Sequence, residues 1–194
     1  MNKYFDLKKT VIANEEIVHQ EPLANKYLLN HYEKIKNINR DLGRLPTDGE
    51  IIWLQSDTQF NAFTFIPFIT QFEQIEHLYA STYSIAVRVV DALLRLIDQG
   101  KINEVTLLIS DSLKQRNPKT IDKILAYENH YENLHIKFAW NHSKVALAKT
   151  KNNHFIIEGS GNWSENAHYE QYIFANDQAA FDFRIKLFTE SIER

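Results

Sequence analysis

Two neighbouring stretches in the last third of the chain, HSKVALAKT from His142 and HFIIEGSGNWSENAHYEQYIF from His154, carry polar groups on otherwise apolar strands. His142 and Lys144 are two residues apart, so on a strand their side chains share a face. The second stretch contains Gly159-Ser160-Gly161-Asn162, and Glu170 follows. If residues 144–150 pair with 154–159 in a hairpin turning at Lys151-Asn152-Asn153, the Gly-Ser-Gly-Asn segment arrives near His142. The glycines let backbone approach a bound group, while Ser160 and Asn162 supply donors. A carboxylate such as Glu170, aimed at an imidazole nitrogen, fixes the tautomer and makes the other nitrogen a better nucleophile or base. Together an imidazole, an ammonium, a carboxylate and two neutral donors suit a tetrahedral phosphoryl group, whose spread charge wants several donors.

The elements that must position these groups read as alternating strands and helices. EIIWLQS (50–56) is a strand, and 57–73, rich in Phe, fits a buried helix interrupted by Pro67. Strands follow at 75–84, 103–110, 133–140 and 169–175. Helices are expected over 85–101, ended by Gly100, over 117–131, opened by Pro118, and from about 178 to the end. Helices between strands argue for a layered α/β sheet, and the 144–159 hairpin adds antiparallel strands, so the sheet should be mixed. Upstream, Leu23, Tyr27, Leu28, Ile35, Ile38 and Leu42 recur at helical steps, which predicts an amphipathic helix over 21–42. GRLPTDGE then breaks it. This divides the chain into an N-terminal helical appendage, 1–48, and a main α/β domain, 49–194.

Composition narrows the classes. Of 194 residues 44% are apolar and twelve are Phe, enough for a packed core and too many for disorder. The chain has no Cys, which excludes disulfides and thiolate metal sites and favours a reducing compartment. The opening MNKYFDLKKTVIANEEIVHQ lacks the apolar run of a signal peptide, and no stretch is long and apolar enough to span a bilayer. A soluble, cytoplasmic protein is the expectation. The net charge of −3 does not itself point to a polyanion. Between Asp111 and Lys151, however, eight Lys/Arg face four acidic residues, a local excess that favours a phosphate beside the first strand.

The ordered set His142-Ser143-Lys144, Gly159-Ser160-Gly161-Asn162 and Glu170 resembles the phospholipase D superfamily of phosphodiesterases, and the element order from about Glu50 onward is similar to one repeat of that α/β/α fold. His-x-Lys alone or Gly-Ser-x-Asn alone would carry no weight; the order and spacing on one hairpin do. The resemblance implies a nucleophilic role for His142, forming a phosphohistidine, with Lys144, Ser160 and Asn162 on the non-bridging oxygens and Glu170 orienting the imidazole. It implies no cofactor and no metal. It also implies a homodimer, because the family's site uses two such motifs and this chain carries one, as small nucleases of the superfamily do. The family's Asp, five residues after the Lys, falls on Lys149.

The leading expectation is therefore a metal-independent, homodimeric nuclease acting on the phosphate backbone of nucleic acid. The alternatives are a phospholipase D-like module that binds phosphate or nucleic acid without cleaving it, and a phospholipid phosphodiesterase. The chain shows no basic amphipathic helix suited to a lipid surface. His130, His135, His154 and His168 lack ligand spacing, and Ser160 lacks the Gly-x-Ser-x-Gly elbow of a serine hydrolase. Trp53, Trp140 and Trp163 read as core or pocket-wall residues, Trp163 standing close enough to Asn162 to flank a substrate group.

Overall fold

A computed structural model of the chain describes residues 30–35, 37–56, 59–164 and 168–190. Strand β1 (Asn30–Ile35) leads to a single helical turn, α1 (Ile38–Asp41), and then to β2 (Glu50–Ser56). A 3-10 turn (Ala62–Thr64) runs into α2 (Phe65–Ile69), followed by β3 (Ile75–Thr82), α3 (Val87–Asp98) and β4 (Ile102–Ser110). Helices α4 (Ser112–Arg116) and α5 (Pro118–Glu128) precede β5 (Leu134–Ala139). The chain closes with β6 (Val145–Thr150), β7 (His154–Gly159), β8 (Gln171–Asn176) and α6 (Gln178–Thr189).

Among the described residues the eight strands form one mixed sheet in the order β1-β2-β8-β7-β6-β3-β4-β5. β3, β4 and β5 are parallel; β6, β7 and β8 run antiparallel to their neighbours. Strand alternation sends one set of side chains to each face. Ile52, Leu78, Val105, Ala146, Phe155 and Phe174 meet the apolar sides of α2, α3 and α5 on one face. On the other, Leu108, Leu147, Ile156 and Ala175 meet Phe181 and Phe188 of α6. Covered on both sides, β6 reads as an almost continuous apolar run. The result is the expected layered α/β/α architecture with a mixed sheet.

Local chemistry sets the helix limits. Val89, Val90, Leu93, Leu94 and Ile97 place one buried stripe on α3. Gly100 then takes a left-handed φ of 65°, letting Lys101 N–H reach the Leu96 carbonyl at 2.9 Å. Asp177 caps α6 by accepting from Ala180 N–H at 2.7 Å. The hairpin between β6 and β7 turns at Lys151 and Asn152, both exposed, while Asn153 is pinned by Glu73 and Asn176 at 2.7 Å each.

Two sequence expectations are corrected. The helix over 21–42 is not formed in its described part: residues 30–35 are a strand paired in parallel with β2, and only Ile38–Asp41 is helical. Asn37 starts that turn afresh, its side chain accepting from Arg40 N–H at 3.2 Å. Residues 1–29 lie outside the described residues. The helix over 57–73 contracts to the 3-10 turn and α2, because Asn61 caps at Phe63 and Pro67 allows helix only in its first turn.

Candidate functional site

The site forms where β5 hands the chain to β6. From Ala139 at the sheet edge the chain crosses the ends of β4 and β3 before entering β6 at Val145. Hydrogen bonds hold this crossover down. Asn141 Nδ2 donates to Ser81 Oγ at 2.7 Å and to the Leu108 carbonyl at 3.4 Å. Asn141 Oδ1 accepts from Ser143 N–H at 2.9 Å and Ser143 Oγ at 2.7 Å. His142 is therefore presented outward from a fixed loop. His142 and Lys144 lie just ahead of β6 and not on it, a correction to the strand placement expected from the sequence.

Two neighbours stand at the His142 ring, and a third residue packs on one of them. Lys144 Nζ donates to the His142 carbonyl at 2.9 Å and stands 3.3 Å from its Nδ1. The Tyr83 ring, just past β3, lies 4.5 Å from the imidazole centroid to centroid. Arg116, at the end of α4, sits over the other part of this stack: its guanidinium is 4.1 Å from the Tyr83 ring and donates to the Tyr83 carbonyl at 3.0 Å. Burial pulls the Lys144 ammonium below the ordinary lysine value, opposed by the charge of Glu170 and the Tyr83 hydroxyl.

The second wall comes from β7 and β8. Ser160 N–H donates to the Gln171 carbonyl at 3.0 Å, and Gln171 N–H returns a bond to Ser160 Oγ at 3.1 Å. Ser160 Oγ in turn donates to Glu170 Oε2. Glu170 is anchored through its backbone, its N–H donating to Ser56 Oγ at 2.9 Å and its carbonyl accepting from Ser56 N–H at 2.8 Å. Gly159 admits no side chain: a Cβ there would lie 2.2 Å from the Gln171 carbonyl oxygen and 2.5 Å from the Tyr172 ring. Tyr169, just before Glu170, holds a left-handed φ of 64° and is 74% exposed.

His142, Lys144 and Ser160 line one open cleft of about 560 Å³, together with Glu158 and Arg184. Glu170 joins them through Ser160 and not through a hydrogen bond to the imidazole. Asn162 lies two residues beyond Ser160, half-buried, outside that lining. The segment carrying it is tied across to β3 and α3, with Trp163 N–H on Thr82 Oγ1 at 3.3 Å and Ala86 N–H on the Trp163 carbonyl at 2.9 Å. Trp163 itself is core, edge-on to Phe63 at 5.2 Å.

Sequence reasoning missed Arg184, Tyr83 and Arg116. Arg184 reaches the cleft from α6, its Nη2 2.8 Å from Glu158 Oε2 and its Nε also bonded to that carboxylate. No local pattern marks it; only the packing of α6 on β6 and β7 brings it there. Lys149, by contrast, is remote. It pairs in register with His77 and His154, at the far end of β6, with its Nζ 3.8 Å from Glu76. Five residues of strand separate it from Lys144, roughly 17 Å. Among the described residues no group of three or more His, Asp or Glu could hold a metal ion.

No family model matches the chain, and no curated protein matches it in sequence. Solved structures do match in shape. The archaeal chromatin protein TrmBL2, whose structure shows a novel mode of DNA binding, aligns with TM-score 0.50 at 13% identity over 74% of this chain and 53% of its own. Phosphatidylserine synthase from Haemophilus influenzae aligns with TM-score 0.50 at 13% identity, over 74% of this chain and 38% of its own. Polyphosphate kinase from Porphyromonas gingivalis aligns with TM-score 0.48 at 10% identity, over 68% of this chain and 24% of its own. The chain thus spans about half, or less, of each of these proteins. At such identities the likeness is one of fold.

Proposed function

We propose that this chain is a phosphodiesterase of the phospholipase D type that cleaves nucleic-acid backbones without a metal, as a homodimer. The observation that carries the reading is the exposed His142 ring beside Lys144, facing Ser160 across one open cleft. In the first step the unprotonated His142 nitrogen attacks phosphorus, a P–N bond forms and the bond from phosphorus to the leaving oxygen breaks. That oxygen takes a proton from the His142 of a second copy. Water then attacks the phosphohistidine, that second imidazole takes its proton, and the first imidazole is released. Lys144 stabilises the charge on the non-bridging oxygens, and Ser160 joins it when substrate turns its one hydroxyl proton away from Glu170. Asn162, outside the cleft lining, is assigned to the same oxygens on the family resemblance alone. Glu170 fixes Ser160 Oγ, and its negative charge near Lys144 helps keep that ammonium protonated.

Nucleic acid is favoured as substrate by Lys144 and Arg116 at this end of the sheet, in a chain of negative net charge, whereas Arg184 is already paired with Glu158. DNA binding by one protein of similar fold agrees with it. A module that binds without cleaving was the alternative raised by the replacement of the family's Asp at Lys149. Lys149 lies at the far end of β6 from the cleft, which supports the cleaving reading over that alternative.

Cleavage of labelled DNA and RNA in EDTA, by wild type and by His142→Ala, tests the proposal. Wild type should cleave one of them, and the variant should lose on the order of a thousandfold in rate. Equal rates in the two preparations, or dependence on added metal, would overturn it.

A further inference from the structure

Two largely bare aromatic rings, neither of them in the cleft lining, stand close in the chain to residues of the site. Trp140 is 91% exposed, the most exposed large apolar side chain among the described residues, and it precedes His142 by two positions in the pinned crossover. Tyr169 is 74% exposed and precedes Glu170 directly, in a left-handed backbone conformation that a non-glycine residue adopts at a cost. Trp163 spends its surface on the core, whereas Trp140 leaves an indole face in water. The strand order puts Trp140 at the start of the His142 crossover and Tyr169 beyond the far side of β7. Trp140 follows the edge strand β5, and Tyr169 precedes β8, with β4, β3, β6 and β7 between. The cleft residues at the start of β6 and the end of β7 come from between them in that order.

Between them the charges suit a polyanionic chain. Arg116 and Lys144 both lie against the Tyr83 ring, and Arg184 lines the cleft from α6 paired with Glu158. Rings flanking a cationic groove are how proteins hold unpaired nucleotides: phosphates follow the charge and base faces stack on the aromatics. In a duplex those faces are already stacked on each other and unavailable to a side chain.

We propose that Trp140 and Tyr169 are stacking platforms for unpaired bases on either side of the phosphate held at His142, so that the substrate is single-stranded nucleic acid. This rests on the phosphodiesterase reading for its scissile phosphate but is tested by binding alone. Three probes of equal length are compared by fluorescence anisotropy: a single-stranded oligonucleotide, the corresponding duplex, and an abasic strand with the same phosphates. The single strand should bind tightest. Trp140→Ala should weaken it about tenfold, the worth of one base–aromatic stack, while weakening the abasic strand less than about twofold. Trp140→Phe should recover most of the loss, and Tyr169→Ala should show the same selectivity. At 91% exposure Trp140 contributes no core packing, so its removal should leave the melting temperature unchanged.

Equal binding of the single and abasic strands, or equal loss on both in Trp140→Ala, would overturn the proposal. So would binding to phosphatidylserine vesicles that depends on Trp140 without discrimination among the strands, which would assign the rings to a lipid surface. Hydrolysis of bis(p-nitrophenyl) phosphate, a diester with no bases, by wild type and His142→Ala reports separately on the chemistry. Its failure counts against the phosphodiesterase reading alone.

Discussion

Lys144 shows how little separates a structural from a chemical residue here. Its ammonium bonds to the His142 carbonyl, yet burial lowers its proton affinity, so the cation that the cleft needs is lost at a lower pH than for a lysine in water. Cleavage should therefore fall away on the alkaline side below the ordinary lysine range. Lys144→Arg, where it retains turnover, should push that limb upward, as a pH–rate profile would read out. Ser160 is a second case. Its hydroxyl accepts from Gln171 N–H and donates to Glu170, so its orientation is fixed before any ligand arrives. Ser160→Ala should raise KM and lower kcat together, losing roughly tenfold to a hundredfold in kcat/KM. Lys149→Ala should leave kcat unchanged, because its nearest charged partner is Glu76, at the other end of the strand.

At the scale of elements, one contact shapes a wall of the cleft and another holds the opposite end of the sheet. β7 and β8 approach so closely at Gly159 that Gly159→Ala must part them, at a cost of about 1–3 kcal/mol in unfolding free energy and a larger loss in activity. Glu50, 1% exposed at the start of β2, is gripped by Arg44 at 2.6 Å and 2.8 Å. First that guanidinium, then the Thr47 N–H and hydroxyl, hold its carboxyl at about 2 against the opposing effect of burial. Its folded value lies below its unfolded one, so its stabilisation is complete above the ordinary 4.5 and drains away as pH falls towards about 2. Glu50→Gln should cost about 2–3 kcal/mol at pH 7 in urea titrations, and the gap from wild type should close over that acidic range. The strands from β2 to β8 were legible because each is a short apolar run bounded by turn residues or a helical stripe. β1 was not, since Leu28, Ile35, Ile38 and Leu42 mimic helical spacing, and pairing with β2 overrides it. The site was legible where its residues come from one hairpin. Arg184 and Arg116 enter through helix packing and loop closure, which no spacing along the chain encodes.

The molecule as a whole presents its chemistry at one end of the sheet, where the parallel strands finish and β7 ends. One His-Lys set per chain makes assembly part of the mechanism as proposed, and closed two-fold dimers are the commonest solution for a single protein. Sedimentation should give twice the mass of one chain. A mixture of equal parts wild type and His142→Ala, unfolded and refolded together, should retain roughly a quarter of full activity, because every hybrid lacks one imidazole. Half of full activity would mean that each chain works alone. The same end gathers Trp140, Tyr169 and the cations, so weaker binding at higher salt should accompany selection of unpaired strands, with the salt slope reduced in Arg116→Ala.

The β6–β7 hairpin leaves a practical opening. Its bend at Lys151 and Asn152 points into solvent, while the reacting groups sit at the opposite tips of the same two arms. Lengthening that bend costs only about 0.6 kcal/mol for each doubling of the connection. A fluorescent or affinity cassette spliced there would ride on the protein while leaving the cleft at the opposite end uncluttered.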